Sequence, residues 1–345
     1  MTSIPYILDI LSQPASLQSA VEQFEGAMLA PAAEAIRSNR FDRIVLTGMG
    51  GSLNAAYPAW LALANAGLPA LWVDTAELVH YSPALITART LLWVFSQSGR
   101  SAEVLAAIDF ERVSRPAALL ATVNDLASPL AQVTQYRIPI HAEVEKTVST
   151  RTYVNSLAVG QLAALALLGQ DVEAGRGGLL QTAAAMESYL AGWEDRVRNL
   201  GQMLGFPKRL AILGRGPSLA SAYAGTLILG EASKFLATPF QAGEFRHGPL
   251  ELATPDLTVL LFAGPRETRE LNLRLLKDLR GYQVNAFWIG PDNNIEWVIE
   301  IPQVPSIGLS LTEILPIQLL SIHLALEIGV EPGYFFRSGK ITLSE

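Results

Sequence analysis

The first forty or so residues read as helical, with polar interruptions and breaks at Pro5, Pro14 and Pro31. The pattern then changes. Residues 43–47 (Arg-Ile-Val-Leu-Thr) form a short apolar run rich in β-branched side chains that stops at Gly48, which predicts a strand. A helical stretch follows over 53–65, then strands at 71–73, 90–95, 117–122 and 135–139, with a helix over 102–113. The second half repeats this order. It has a strand at 209–213, a long helix over 219–236, a strand at 257–262, a helix over 271–280 and a strand at 283–289. Strands alternating with helices imply a parallel sheet covered on both faces. The repetition implies an α/β chain of two tandem doubly wound parallel-sheet domains. The expected boundaries are a helical segment at 1–40, domains at 41–175 and 181–330, and a tail at 331–345. A linker is expected between Asp171 and Gln181, where Gly175, Gly177 and Gly178 cluster.

Composition narrows the function. The chain has 345 residues, half of them hydrophobic and 17% charged, enough to build two cores. A net charge of −7 argues against nucleic acid or an anionic membrane as the main partner, yet leaves room for a small anionic substrate held by local donors. The absence of cysteine removes disulfides, thiolate catalysis and cysteine metal sites, and suits a reducing compartment. No basic residue precedes Arg37, so no secretory signal is expected. The best candidate for a membrane span, 156–169, is too short and reads as a buried core helix. His80, His141 and His323 show no metal-ligand spacing, and neither metal nor cofactor is expected.

Two loops carry the candidate chemistry. Gly48-Met49-Gly50-Gly51-Ser52 and Ser96-Gln97-Ser98-Gly99-Arg100-Ser101 each join a strand to a helix, at the carboxyl edge where parallel sheets bind ligands. Glycines allow close backbone approach, helix N-termini offer free N–H groups, and serine hydroxyls add uncharged donors. Together they describe a phosphate cradle. Thr147, Ser149 and Thr150 form a third hydroxyl-rich turn before another helix. Gly48 and Gly50 with Asp74 also fit part of a dinucleotide fingerprint, but Leu53 stands at the third glycine position, leaving a nicotinamide enzyme as an alternative. A nucleophile elbow fails, because Leu53-Asn54 follows Ser52. Arg100 is equally a substrate contact or a solvated loop residue.

The segments 48–52, 96–101, 145–150 (Glu-Lys-Thr-Val-Ser-Thr) and 241–250 (Gln-Ala-Gly-Glu-Phe-Arg-His-Gly-Pro-Leu) resemble the sugar isomerase (SIS) family. The arrangement is similar to the isomerase half of glutamine–fructose-6-phosphate aminotransferases. It also looks like stand-alone glucosamine-6-phosphate deaminases and deglycases of fructosamine phosphates. The resemblance implies two flavodoxin-like SIS domains, a sugar-phosphate ligand, a homodimer with shared active sites and a cytoplasmic enzyme. Phosphate contacts are expected from Gly50, Gly51, Ser52, Ser96, Gln97, Ser98, Ser101, Thr147 and Ser149. Family members with a glutaminase domain use a cysteine nucleophile, so no such domain is expected here.

Moving a carbonyl between C1 and C2 requires a base, a ring-opening group and a stabiliser of developing charge, for which a lysine imine is one route. Glu231 lies in an apolar helical stretch where burying a carboxylate is costly, and the resemblance carries the base onto it. The alternative is a structural partner for Lys234. His247 is implied to open the ring, reaching into a neighbouring subunit. Lys340, in a hydrophobic tail, is implied to form the imine. Ile228 stands where the aminotransferases carry a lysine, one helical turn before Glu231. The expected reaction is aldose–ketose isomerisation or amino-sugar-phosphate deamination. A deglycase and a non-catalytic sugar-phosphate sensor are the alternatives.

Overall fold

The computed structural model describes residues 3–292, 294–337 and 339–342. Chain packing divides it into two compact units, Ala15–Leu180 with the residues from Arg337 onward, and Gln181–Phe336 with those up to Pro14. Each is built on a five-stranded parallel sheet. The first contains β1 (Arg43–Gly48), β2 (Ala70–Asp74), β3 (Thr90–Ser96), β4 (Ala118–Val123) and β5 (Tyr136–Pro139), in the order β2-β1-β3-β4-β5. The second contains β6 (Arg209–Gly214), β7 (Ala237–Gln241), β8 (Leu257–Phe262), β9 (Asn285–Gly290) and β10 (Val298–Glu300), in the order β10-β9-β8-β6-β7. The two orders are the same topology. In each sheet the order reverses between the first and third strands, so the loops after β1 and β3, and after β6 and β8, flank the crevice that this architecture uses for ligands.

The central strands are buried throughout. All seven residues of β3 and all six of β8 are buried, as in a sheet covered on both faces. Trp93 of β3 donates its indole N–H to Thr122 Oγ1 of β4 at 3.0 Å, satisfying both polar atoms in the core. The helix Arg151–Leu168 lies directly on β3. A Cβ on Gly160 would sit 2.9 Å from the Phe95 ring, so a glycine is needed for that approach.

Several local expectations change. Pro5, Pro14 and Pro31 do not break helices. Each sits within the first two residues of one (Pro5–Leu11, Gln13–Glu22, Ala30–Arg37), where the missing N–H is harmless. The glycine cluster at 175–178 is helical, part of Val172–Leu190, and the chain passes from one unit to the other within that helix, between Leu180 and Gln181. Gly175 and Gly178 occupy its buried face, and packing there outweighs their low helix propensity. The helix after Ser101 ends at Ala107, short of 113. β7 and β10 are additional strands. Both are edge strands, one interrupted by Pro239 and the other three residues long. The most membrane-like helix is not 156–169 but Ser306–Glu327, and 83% of its apolar window is buried inside the fold, as expected of a core helix.

That core helix, Leu309–Glu327, carries a fully buried acid. Glu313 accepts hydrogen bonds from Ser218 Oγ at 2.8 Å and Ser221 Oγ at 3.2 Å. Burial pushes its carboxyl up to about 8, against the opposing pull of the two hydroxyls. The group is therefore neutral in the fold across a range where it ionises in the unfolded chain. Its contribution to stability is fully present below the ordinary value of 4.5 and is lost as pH rises through about 8. Glu313→Gln should match the wild type near pH 4.5 and exceed it in stability by a few kcal/mol (order of magnitude) at pH 8.5, measured by urea unfolding. Parallel stability–pH curves for the two proteins would refute this.

Candidate functional site

The first loop leaves β1 at Gly48 and enters the helix Gly50–Asn65. A Cβ on Gly48 would approach the Phe95 carbonyl oxygen to 2.8 Å, so the loop can lie against the end of β3 only without a side chain there. Gly50 has φ of +50°, which turns the chain so that the helix begins directly over the strand. Ser52 is partly accessible in the first turn, and a Cβ on Gly51 would come 3.9 Å from Ser149 Cβ. The first loop and the hydroxyl-rich turn are therefore neighbours.

The second loop is held by its own serines. Ser96 Oγ accepts from Gly99 N at 3.1 Å, and Ser98 Oγ accepts from Arg100 N at 3.2 Å. Gly99, with φ of +60°, packs against Ser128 with no room for a side chain. The Gln97 carbonyl receives Asn124 N and Asp125 N, tying the loop to the end of β4. Arg100 is not a free loop residue, since its guanidinium donates to Asp125 Oδ2 at 2.9 and 3.0 Å. That bond holds the Asp125 carboxyl below its ordinary value. Ser101 precedes the short helix Ala102–Ala107 without capping it through its hydroxyl.

The third turn contains a residue the sequence reading did not single out for a role. Glu145 is buried, and its Oε1 accepts from Thr150 N (2.8 Å), Thr150 Oγ1 (2.8 Å) and Arg151 N (2.6 Å). It thereby satisfies free N–H groups at the start of the helix Arg151–Leu168. Its Oε2 accepts from Thr152 Oγ1 and, at 3.0 Å, from Lys340 Nζ. Lys340 also donates to the Thr147 carbonyl at 2.7 Å and meets Ser149 Oγ at 3.0 Å. Burial alone would raise the Glu145 carboxyl. The Lys340 ammonium and the surrounding donors outweigh it and hold the group below its ordinary value. Two residues further on, the Thr342 carbonyl accepts from Ala102 N at 3.2 Å, so the tail runs from the hydroxyl-rich turn to the second loop. Thr147 Oγ1 is buried with no hydrogen-bond partner among the described residues. Ser338 and the last three residues of the expected tail lie outside the described residues.

One unit thus brings together Gly50, Gly51, Ser52, Ser96, Gln97, Ser98, Ser101, Thr147, Ser149 and Lys340. Glu231 and His247 belong to the other unit. Glu231 occupies the last turn of the helix Ser218–Ser233 and is half-buried rather than fully buried. Burial lowers the Lys234 ammonium's pKa, while the Glu231 charge pulls it back up. Lys234 donates to the main-chain carbonyls of Glu231 and Tyr334. Ile228, one turn earlier, is buried. His247 is exposed and follows the 3-10 turn Glu244–Arg246, its N–H bonded to the Glu244 carbonyl at 2.7 Å. Asp74, the acid of the nicotinamide alternative, is an N-cap instead. Its Oδ1 accepts from Ala76 N at 2.9 Å and Glu77 N at 3.3 Å.

Comparison with known proteins bears on the family and the fold. The SIS domain family model matches residues 37–166 and 203–328. The glutamine–fructose-6-phosphate aminotransferase (isomerizing) of Pyrococcus horikoshii is 28% identical over 333 residues, covering 94% of this chain and 55% of that protein. Its counterpart from Escherichia coli is 26% identical over 345 residues, covering 94% and 56%. The chain therefore spans about half the length of the curated relatives it matches. Among solved structures, the C-terminal domain of glucosamine-fructose-6-phosphate aminotransferase from Francisella tularensis aligns with a TM-score of 0.84 and 21% identity, over 95% of this chain and 97% of that one. The tagatose-6-phosphate ketose/aldose isomerase of Escherichia coli aligns at 0.79 and 20%, over 96% and 95%. At these identities the structural likeness is one of fold.

The Glu145 contacts make a separable prediction. Glu145→Gln preserves shape but removes the charge that Lys340 and the helix N–H groups meet. It should cost about 1–3 kcal/mol at pH 7 and raise hydrogen exchange in the segment carrying Lys340. Because the Glu145 carboxyl is depressed, its stabilisation is present above 4.5 and lost as pH falls, so the deficit of the variant should shrink in acid. Unchanged stability and exchange at pH 7 would contradict this role.

Proposed function

Since the chain belongs to the SIS domain family and is homologous to the isomerase half of glutamine–fructose-6-phosphate aminotransferase, we propose that it converts a phosphorylated sugar through an enediol or enolamine, either isomerising an aldose and a ketose or releasing ammonia from an amino-sugar phosphate. The observation that carries this reading is the seating of Lys340 on the hydroxyl-rich turn, beside the loops that carry Ser52 and Ser96–Ser101. A binding module needs only the loops. A lysine delivered to them by the far end of the chain suits chemistry on a carbonyl.

On this reading the phosphate rests on the Gly50-Gly51-Ser52 turn and the hydroxyls of Ser96, Ser98, Ser101 and Thr147, with Gln97 and Ser149 contributing further donors. Glu231 carries the proton between C1 and C2, and His247 opens the ring from a neighbouring copy, so the working form is a homodimer. Lys340 attacks the open-chain carbonyl. In the observed seat Nζ is taken up by Glu145, the Thr147 carbonyl and Ser149, so it leaves that seat to add to the carbonyl carbon. The two amine protons pass to the carbonyl oxygen, which leaves as water and gives the imine, while the Glu145 carboxyl, held below its ordinary value, takes none of them.

The test is incubation of the purified protein with glucosamine 6-phosphate and, separately, fructose 6-phosphate, following ammonia, fructose 6-phosphate and aldose–ketose exchange. Ammonia release that falls about 10²–10⁴-fold in Glu231→Gln, with sugar-phosphate affinity kept, identifies a deaminase and its base. Exchange without ammonia identifies an isomerase. Thermal stabilisation by both sugars without turnover would reject catalysis on these substrates and favour a sensor.

A further inference from the structure

The second sheet repeats the strand order of the first, and its crevice between β6 and β8 has no part in the reading above. It is not closed. A cavity of about 620 Å³ opens there, lined by Pro217 after β6, by Gly264, Arg266 and Arg269 after β8, and by the segment 301–304 after β10. That is the volume range of small-molecule sites, at the position where parallel sheets take ligands.

Its chemistry differs from that of the first crevice. Where the first unit offers serine hydroxyls, this one offers two guanidinium groups. Arg266 is exposed and makes no ion pair among the described residues. Arg269 reaches Asp292 Oδ2 with Nη2 at 3.3 Å, and its side chain stays one-third exposed (34%) at the cavity wall. A guanidinium carries five N–H donors, and one ion pair leaves the others to receive an anionic oxygen. Glu267 and Glu270 of the same helix line the cavity as well. Their carboxylates disfavour a bare anion and accept hydrogen bonds from hydroxyl or amino groups. We infer that this crevice is a second ligand site, which takes a small phosphorylated polyol or sugar, its phosphate on Arg266 and Arg269 and its hydroxyls on Glu267 and Glu270. The inference rests on the second sheet alone and is independent of the reaction proposed above.

The structure also supplies a local reporter. Trp288 Nε1 donates to Asp292 Oδ2 at 2.9 Å, the same oxygen that Arg269 approaches. A ligand that draws on Arg269 alters the hydrogen bond to a buried indole.

Sorbitol 6-phosphate is a suitable probe, because it has no carbonyl and undergoes neither candidate reaction. Calorimetric titration of the full chain should show a class of site that weakens about ten- to hundredfold in Arg266→Gln and in Arg269→Gln, and that persists in Ser52→Ala/Ser98→Ala. Binding to it should change tryptophan fluorescence, and Trp288→Phe should abolish the change. Arg266 is exposed, so its variant tests the site without threatening the fold. If the first crevice fails to bind, a single class that weakens in the arginine variants still supports the second site. No binding, or binding that neither arginine variant weakens, would overturn it.

Discussion

A single buried carboxylate organises the candidate site. Removing Glu145 from water is unfavourable, and the fold offsets that cost by surrounding it with donors from three sources. These are the main chain at the start of Arg151–Leu168, the hydroxyls of Thr150 and Thr152, and the Lys340 ammonium. Each donor is thereby fixed by the same acceptor. The turn cannot shift without uncovering the charge, the helix cannot fray at its first residues, and Lys340 has a defined seat. The position of Ser149 against the first loop follows from this arrangement.

The candidate site carries few charges of its own. The chain is acidic overall, yet the first crevice is lined by glycine turns and hydroxyls at the starts of two long helices. Neutral donors of this kind bind a phosphate without the long-range field that would draw polyanions, consistent with a small-molecule ligand. Arg100 supports this division. Its charge is spent on Asp125, holding the loop after β3 in shape. The second unit uses the same strand order with different side chains. Its acid at 313 is buried and neutral, bound to two serines beneath the turn after β6, and its charged groups stand around the crevice above. One topology thus supports two chemical environments, because the sheet dictates where loops emerge and the loop sequences dictate what they present.

The alternation of apolar runs with glycine turns was sufficient to read eight of the ten strands, the parallel sheets and both loops after β1 and β3. Those features are local, since a short β-branched run that stops at glycine favours a strand followed by a turn. β7 and β10 escaped because edge strands need no continuous apolar run, and Pro239 argues locally against one. The cluster Gly175–Gly178 read as non-helical because glycine is a poor helix former in isolation, whereas packing on one face of Val172–Leu190 makes it helix. The tail lysine and the hydroxyl-rich turn were each visible as segments. Their pairing was not, because Lys340 and Glu145 are 195 residues apart and no periodicity links them. The sequence by itself determined the element types, the repeated topology and the chemical character of the loops, since these follow from short-range pattern. Only the tertiary structure decided which carboxylate is buried, which cation meets it and which arginine is already occupied, because desolvation and pairing depend on neighbours that the chain brings together only when folded.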